Sequence, residues 1–281
     1  MLPAAYATPQ QRSDELRTTL TAIADGDGSA GRRAAIVAAL RAAGVELELQ
    51  EFVDRRQRPG TNIVARIPGP GRRLLVAAHY DRVAVGRGVV DNGGACAALV
   101  DLLRTLKTAP LARHALDVVF FDLEEAGLAG SRAYFARTPA PRPEHAINLD
   151  VFAYGDALFA TASNPDGPLM RALREAGHAL NLPVRDAPVA RYPGSDHRSM
   201  MDAKIDTLGI ALVDAPDIDI VLASGTRGAG TPNAGARVLT IIHSPRDTLA
   251  EARADDIVKG VSALEQLLRT IDREPADAGA L

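Results

Sequence analysis

The sequence predicts an α/β chain, with a mainly parallel sheet held between two layers of helices. Three observations carry that expectation. Strand-length apolar runs alternate with helix-patterned segments along most of the chain. The run at residues 73–78 is continuously apolar after its first residue, as in a strand covered on both faces. Five separated apolar stretches each end in a side chain that binds metals or moves protons, and ligands of parallel sheets collect at the carboxyl ends of strands.

The elements follow in order. Residues 11–43 read as two helices. The first begins near Ser13 with Glu15 in its opening turn. The second, 32–43, sets Ile36, Val37 and Leu40 at helical spacing among alanines and stops at Gly44. Residues 46–53 alternate polar and apolar side chains as a strand, and 61–67 form another after a Pro-Gly turn. Pro68-Gly69-Pro70-Gly71 turns the chain into the strand at 73–78. Residues 95–106 make a strongly apolar helix, 115–123 a buried strand, 129–137 a helix and 146–152 a strand. Then 157–162 and 207–213 read as strands, 168–180 and 195–202 as helices, and 255–271 as a closing amphipathic helix. The Gly/Ala/Pro-rich stretch 224–236 is either a flexible border of a substrate cleft or a plain surface loop.

At 281 residues the chain suits a single domain, 1–281, with the helices of 1–45 packed on its core. Hydrophobic residues make up 47% and charged residues 24%, enough to bury a full core in a globular protein. Net charge is −3 with both signs scattered, which argues against nucleic acid or a membrane face as partner. The arginine excess over lysine reads as genome composition. The single cysteine, Cys96, sits among small apolar residues and reads as a buried hydrophobe rather than a nucleophile. The amino terminus lacks a basic and an apolar leader region, so the sequence as written reads as cytoplasmic, or periplasmic or secreted if a leader was removed.

The chemistry lies at the ends of the apolar runs. His79 follows Leu74-Leu75-Val76-Ala77-Ala78, and Asp81 falls on the same side of an extended segment, where it can accept the imidazole's second N–H. Asp91-Asn92-Gly93-Gly94 precedes a helix. Either residue suits an N-cap or turn, and Asp91, with two oxygens, is also a candidate bridge between two cations. Glu124-Glu125 leaves a buried strand with its two carboxylates pointing differently, so that one can bind metal while the other serves as general base and then acid. Asp150 closes Ala146-Ile147-Asn148-Leu149. His243 follows Leu239-Thr240-Ile241-Ile242, with Asp247 as its candidate support. His114, His145 and His178 read as surface residues, and His197 as a structural residue at a helix start. Two histidines and three carboxylates, one of them shared, give three ligands per metal, the catalytic pattern. Nitrogen and oxygen donors without thiolate suit zinc, with manganese or cobalt as substitutes.

Six ordered stretches carry a resemblance. They are His79-Tyr80-Asp81, Asp91-Asn92, the run from Phe121 through Glu124-Glu125 to Ser131, Asn148-Leu149-Asp150, Ser195-Asp196-His197, and the run from His243 to Thr248. Together they resemble metallopeptidase family twenty-eight, the co-catalytic two-zinc aminopeptidases, across about residues 60–250. The resemblance implies a three-layer α/β/α sandwich around a mixed, mostly parallel sheet. It implies one zinc on His79 and Asp150, another on Glu125 and His243, Asp91 bridging, and Glu124 as general acid/base. Tyr192, three residues before Ser195, stands where some members carry a tyrosine that hydrogen-bonds the oxyanion. Many members have two consecutive aspartates where this chain has Val90-Asp91.

The expected activity is removal of an N-terminal residue from a peptide or aminoacyl substrate by a water activated between two zinc ions. Alternatives are a glutaminyl-cyclase-like single-zinc acyltransferase, a family-twenty deacylase or carboxypeptidase, and a catalytically silent scaffold of the same fold. The family-twenty enzymes usually need an inserted lid domain for which 281 residues leave little room. Met200, Met201 and the 224–236 loop are candidate pocket borders. Oligomeric state and preferred side chain are not legible in the sequence.

Overall fold

Among the described residues, eight strands form one sheet: β1 (Glu46–Val53), β2 (Pro59–Ile67), β3 (Arg73–His79), β4 (Ala115–Phe121), β5 (His145–Phe152), β6 (Ala157–Ala162), β7 (Val184–Asp186) and β8 (Asp206–Val213). The computed structural model describes residues 8–137, 142–224 and 235–274. The strands lie in the order β1-β2-β4-β3-β5-β8-β6-β7. The centre, β4-β3-β5-β8, is parallel; β2 runs antiparallel to both β1 and β4, and β6 antiparallel to β8. The sheet is therefore mixed and mostly parallel, as expected.

Helices cover both faces. They are α1 (Pro9–Asp25), α2 (Gly28–Ala42), α3 (Gly94–Thr108), α4 (Ala129–Arg137), α5 (Pro168–Ala179), α6 (His197–Asp202), α7 (Ala215–Ser224), α8 (Arg237–Ile241) and α9 (Ala254–Arg273). Alternation along β3 explains its unbroken apolar sequence. Leu74, Val76 and Ala78 pack with α1, α2, α3, α5 and α9, whereas Leu75 and Ala77 pack with Tyr134 and Phe135 of α4 and Met200 of α6. Successive side chains of a strand point to opposite faces, so a two-sided core demands apolar residues at every position. A third apolar cluster joins Phe159, Tyr192 and Ala211 to Ile218 of α7 and Val238 and Ile241 of α8.

Topology makes the crevice. From β3 the chain passes through α3 to β4 on one side, then through α4 to β5 on the other side of β3. Helices α3 and α4 lie on opposite faces, so the carboxyl ends of β3, β4 and β5 open at a reversal of strand order, where ligands of such sheets bind.

Several expectations are corrected. Helix α1 starts at Pro9 rather than near Ser13, because Thr8 caps it, its hydroxyl accepting from the Gln11 N–H at 3.1 Å, and proline suits the first turn. Helix α2 starts at Gly28, and α6 at His197 rather than 195. Strand β4 ends at Phe121, since Leu123 turns left-handed (φ 57°). The apolar run before His243 is helical, α8, so His243 leaves a helix end rather than a strand. The sequence reading missed β7 and α7, although Pro216 in the first turn of α7 was a usable start signal. Among the described residues, no helix is long and apolar enough to cross a membrane.

Candidate metal centre

His79, the last residue of β3, is 1% exposed. Its Nε2 lies 3.1 Å from Asp91 Oδ1 and 3.5 Å from Asp150 Oδ1. His243 Nε2 lies 3.0 Å from Asp91 Oδ2 and 3.2 Å from Glu125 Oε1. Asp91 therefore turns one oxygen to each imidazole. His79, Asp91 and Asp150 form one group able to hold a cation, and Asp91, Glu125 and His243 form a second. All five expected ligands converge.

The side chains present fit metal ions. Nε2 of His79 and Oδ1 of Asp150 are buried without a hydrogen-bond partner, a costly state that a cation in the first group would relieve. The nitrogen and oxygen donors suit zinc.

Backbone geometry aims the ligands. Asp150 lies inside β5 rather than at its end, at a register irregularity between Leu149 and Phe152, and Val151 beside it has φ 59°. Such a bulge re-aims a side chain out of the ladder. His243 itself has φ 56°, and Leu123 precedes the glutamate pair with φ 57°. Left-handed non-glycine residues are strained and gather at functional sites.

Carboxylates and amides hold these pieces. Asp81 Oδ1 stands 3.4 Å from His79 Nδ1, and its two oxygens also accept the backbone N–H groups of Glu124 and Glu125 at 3.0 and 3.2 Å. Asp247, expected beside His243, instead accepts the N–H groups of Val89, Val90 and Asp91 at 2.7, 2.6 and 3.2 Å. It shapes the loop of the shared aspartate. Asp91 does not cap α3; Gly93 occupies that position. Asn92, read only as a turn or cap residue, donates to the Leu149 carbonyl at 2.9 Å and accepts from the Val151 N–H at 3.2 Å.

Charge follows burial and pairing. Burial lowers the His79 imidazole pKa, but the facing carboxylates of Asp150, Asp81 and Asp91 outweigh it and raise it well above its usual value. His243 is raised to about 10 by Asp91 and Glu125. Asp91 is lowered: burial opposes this, but the two histidines outweigh it. Glu124 belongs to neither group, and burial pushes its carboxyl up to about 9.

Tyr192 is 3% exposed, and its hydroxyl lies 3.4 Å from the Phe159 carbonyl. Burial raises its phenol well above 10.0 and keeps it a donor. Beside Tyr192 and Asp150 opens an apolar cavity of about 90 Å³, walled by Val151, Phe159, Ala211, Ile218 and Ile242. Met200 packs in the core and Met201 lies away from that cavity. The 224–236 stretch falls, for residues 225–234, outside the described residues.

Other titratable residues sort as follows. Asp196 is buried with both oxygens unpartnered and is pushed up to about 7 by burial. His197 is buried against the Tyr192 ring and lowered to about 4 by desolvation. His114 and His145 are corrected from surface residues to paired ones. His114 meets Asp272 at 3.0 Å and Glu144 at 3.3 Å, and His145 meets Asp206 at 2.9 Å. Those partners lie 30 to 158 residues away, beyond any local pattern. Cys96 is buried, and burial raises its thiol to about 11, as an inert core residue requires.

The chain is 35% identical over 120 residues to leupeptin-inactivating enzyme 1 of Streptomyces exfoliatus, a match covering 40% of this chain and 27% of that protein. A zinc aminopeptidase structure from Bacillus subtilis superposes with a TM-score of 0.61 at 20% identity, covering 75% of this chain and 50% of that one. A glutaminyl cyclase structure from Porphyromonas gingivalis gives a TM-score of 0.71 at 19% identity, covering 91% and 97%. At such identities the likeness to the two solved structures is one of fold. The matches reach about a quarter of the Streptomyces protein and half of the Bacillus one. A family model described as Peptidase family M28 matches residues 62–265. That stretch contains both cation-facing groups whole, from His79 to His243, and the chain belongs to this peptidase family.

Proposed function

We propose that the chain is an aminopeptidase that holds two zinc ions and hydrolyses the N-terminal peptide bond of peptides. The division of Asp91 between two imidazoles, Oδ1 toward His79 and Oδ2 toward His243, carries this reading. His79, Asp91 and Asp150 would hold one ion, and Asp91, Glu125 and His243 the other; manganese or cobalt suits the same donors. Bound there, paired ions would lower the pKa of water and polarise the scissile carbonyl.

The chain's own groups do the rest. Glu124, its backbone fixed by Asp81, takes a proton from the attacking water and returns it to the departing amine as the C–N bond breaks. Burial favours its protonated form, and cations in the two groups would oppose that shift. The Tyr192 phenol, held protonated, donates to the oxyanion. Surrounding carboxylates favour the ammonium of a free N-terminus, and the apolar cavity beside Asp150 receives its side chain.

Elemental analysis and a panel of aminoacyl p-nitroanilides, with and without chelator, test the proposal. Two zinc ions per chain and chelator-sensitive release of nitroaniline are expected. One zinc with pyroglutamate formation from N-terminal glutamine would favour the cyclase reading, which the fold likeness supports and the second ligand group opposes. A chain without bound metal and without turnover would be a silent scaffold.

A further inference from the structure

We propose that Arg32, on α2 and outside the stretch matched by the family, is a positioning residue of the metal centre, which makes the N-terminal helices part of the catalytic unit. This rests on the reading of the two ligand groups as metal sites. The Arg32 side chain is completely buried. Among the described residues it makes no ion pair with a carboxylate. Its Nε donates to the Tyr80 carbonyl, Nη1 to the Arg87 carbonyl at 3.0 Å and Nη2 to the Gly88 carbonyl at 3.0 Å. A buried guanidinium is costly unless hydrogen-bonded, and charge-assisted bonds to carbonyls offset that cost.

All three carbonyls belong to one loop. Tyr80 follows His79 directly, and Gly88 stands three residues before Asp91. One planar fork thus closes both ends of the segment that separates two members of a single ligand group. The closure is tight. A Cβ on Gly93 would come within 2.9 Å of the Gly88 carbonyl and 3.4 Å of Arg32 Nη2, and a Cβ on Gly88 within 2.9 Å of the Asp91 carbonyl. The loop answers in kind, since Arg87 Nη2 donates to the Ala24 carbonyl at the end of α1. Helix α1 is itself anchored to the core by Arg12 with Asp101 at 2.7 Å and by the Ser13 hydroxyl donating to Asp255 at 2.6 Å. The helices thus meet the loop through Arg32 and Arg87, whereas Arg12 and Ser13 hold α1 to the core away from it. Lysine, a point charge on a flexible stem, cannot reproduce a three-carbonyl fork.

Zinc affinity by chelator competition tests this in the full chain. Arg32→Met and Arg32→Lys are expected to weaken zinc binding about 10- to 100-fold, as loss of a group that orients ligands does. Arg12→Met, which loosens the same helices away from the loop, is expected to leave affinity within about twofold. Circular dichroism and thermal midpoints of the metal-free forms report folding separately. Folded Arg32 variants that bind zinc like the wild type, or an equal loss in Arg12→Met, would overturn the proposal. If neither Arg32 variant folds, the wild type decides. Exchange of the Arg32 Nε–H, followed by NMR, should slow when zinc is added, and unchanged exchange refutes the clamp. A wild-type chain that binds no zinc removes the two-metal reading and this one together; normal wild-type binding with unaffected variants removes this one alone.

Discussion

Asn92 brackets Asp150. The Asn92 carboxamide donates to the carbonyl before Asp150 and accepts from the N–H after it, at 2.9 and 3.2 Å. Since Asn92 adjoins Asp91, one side chain ties two members of the His79 group together. Asn92→Ala should therefore weaken one of two zinc sites, by about 10- to 100-fold. Titration monitored by elemental analysis should show one ion held as in the wild type and one lost early. Equal weakening of both ions would count against the bracket.

Glu124 stands among the ligands without joining either group. Glu124→Gln keeps size and burial while removing the proton carrier. It should retain zinc stoichiometry and lower kcat about 100- to 10,000-fold, with KM little changed. Near-native turnover in that variant, or in Glu124→Ala, would refute the assigned role.

The metal-free protein should respond to pH through its histidines. Asp91 and Glu125 raise His243 from 6.5 to about 10. A raised folded-state pKa stabilises fully below the unfolded value of about 6.5 and is lost as pH rises through about 10. Asp91, lowered from 3.8, acts oppositely: its contribution is present above that value and lost on acidification. The thermal midpoint of chelated protein should thus fall between pH 6.5 and 10. Zinc-loaded protein should fall less, because metal replaces those protons and its uptake releases them. Parallel profiles by scanning calorimetry would argue that the cluster does not exchange protons for metal.

The apolar cavity makes a specificity prediction. Ala211 is buried and lines, with Ile218 and Tyr192, a space of about 90 Å³. Ala211→Phe should fill that space and lower kcat/KM for leucyl substrates about tenfold or more relative to alanyl ones, since pocket methylenes are each worth about 1–3 kcal/mol. Parallel losses for both substrates would place the side-chain pocket elsewhere.

Much of the candidate centre was legible in the sequence because its donor side chains close apolar runs. His79 follows β3 directly, and Glu124-Glu125 follow β4, so the strand pattern placed them. The same logic misplaced two others. Asp150 sits inside β5 at a bulge, and His243 leaves a short helix through a left-handed backbone, and neither bulge nor φ is written in residue type. Asp247 was assigned to the nearest histidine in sequence. It bonds instead to amides 156 to 158 residues away, which no local periodicity reports.

By itself the amino-acid sequence determined the mostly parallel sheet, the identities of the five candidate donors and their order along the chain. These follow from burial on both faces of a strand and from the chemistry of imidazole and carboxylate. Tertiary structure alone decided which Asp91 oxygen meets which histidine, that Asn92 spans Asp150, and that Arg32 closes the loop between His79 and Asp91. Those choices are directional hydrogen bonds between distant residues, and their geometry exists only once the layers have packed.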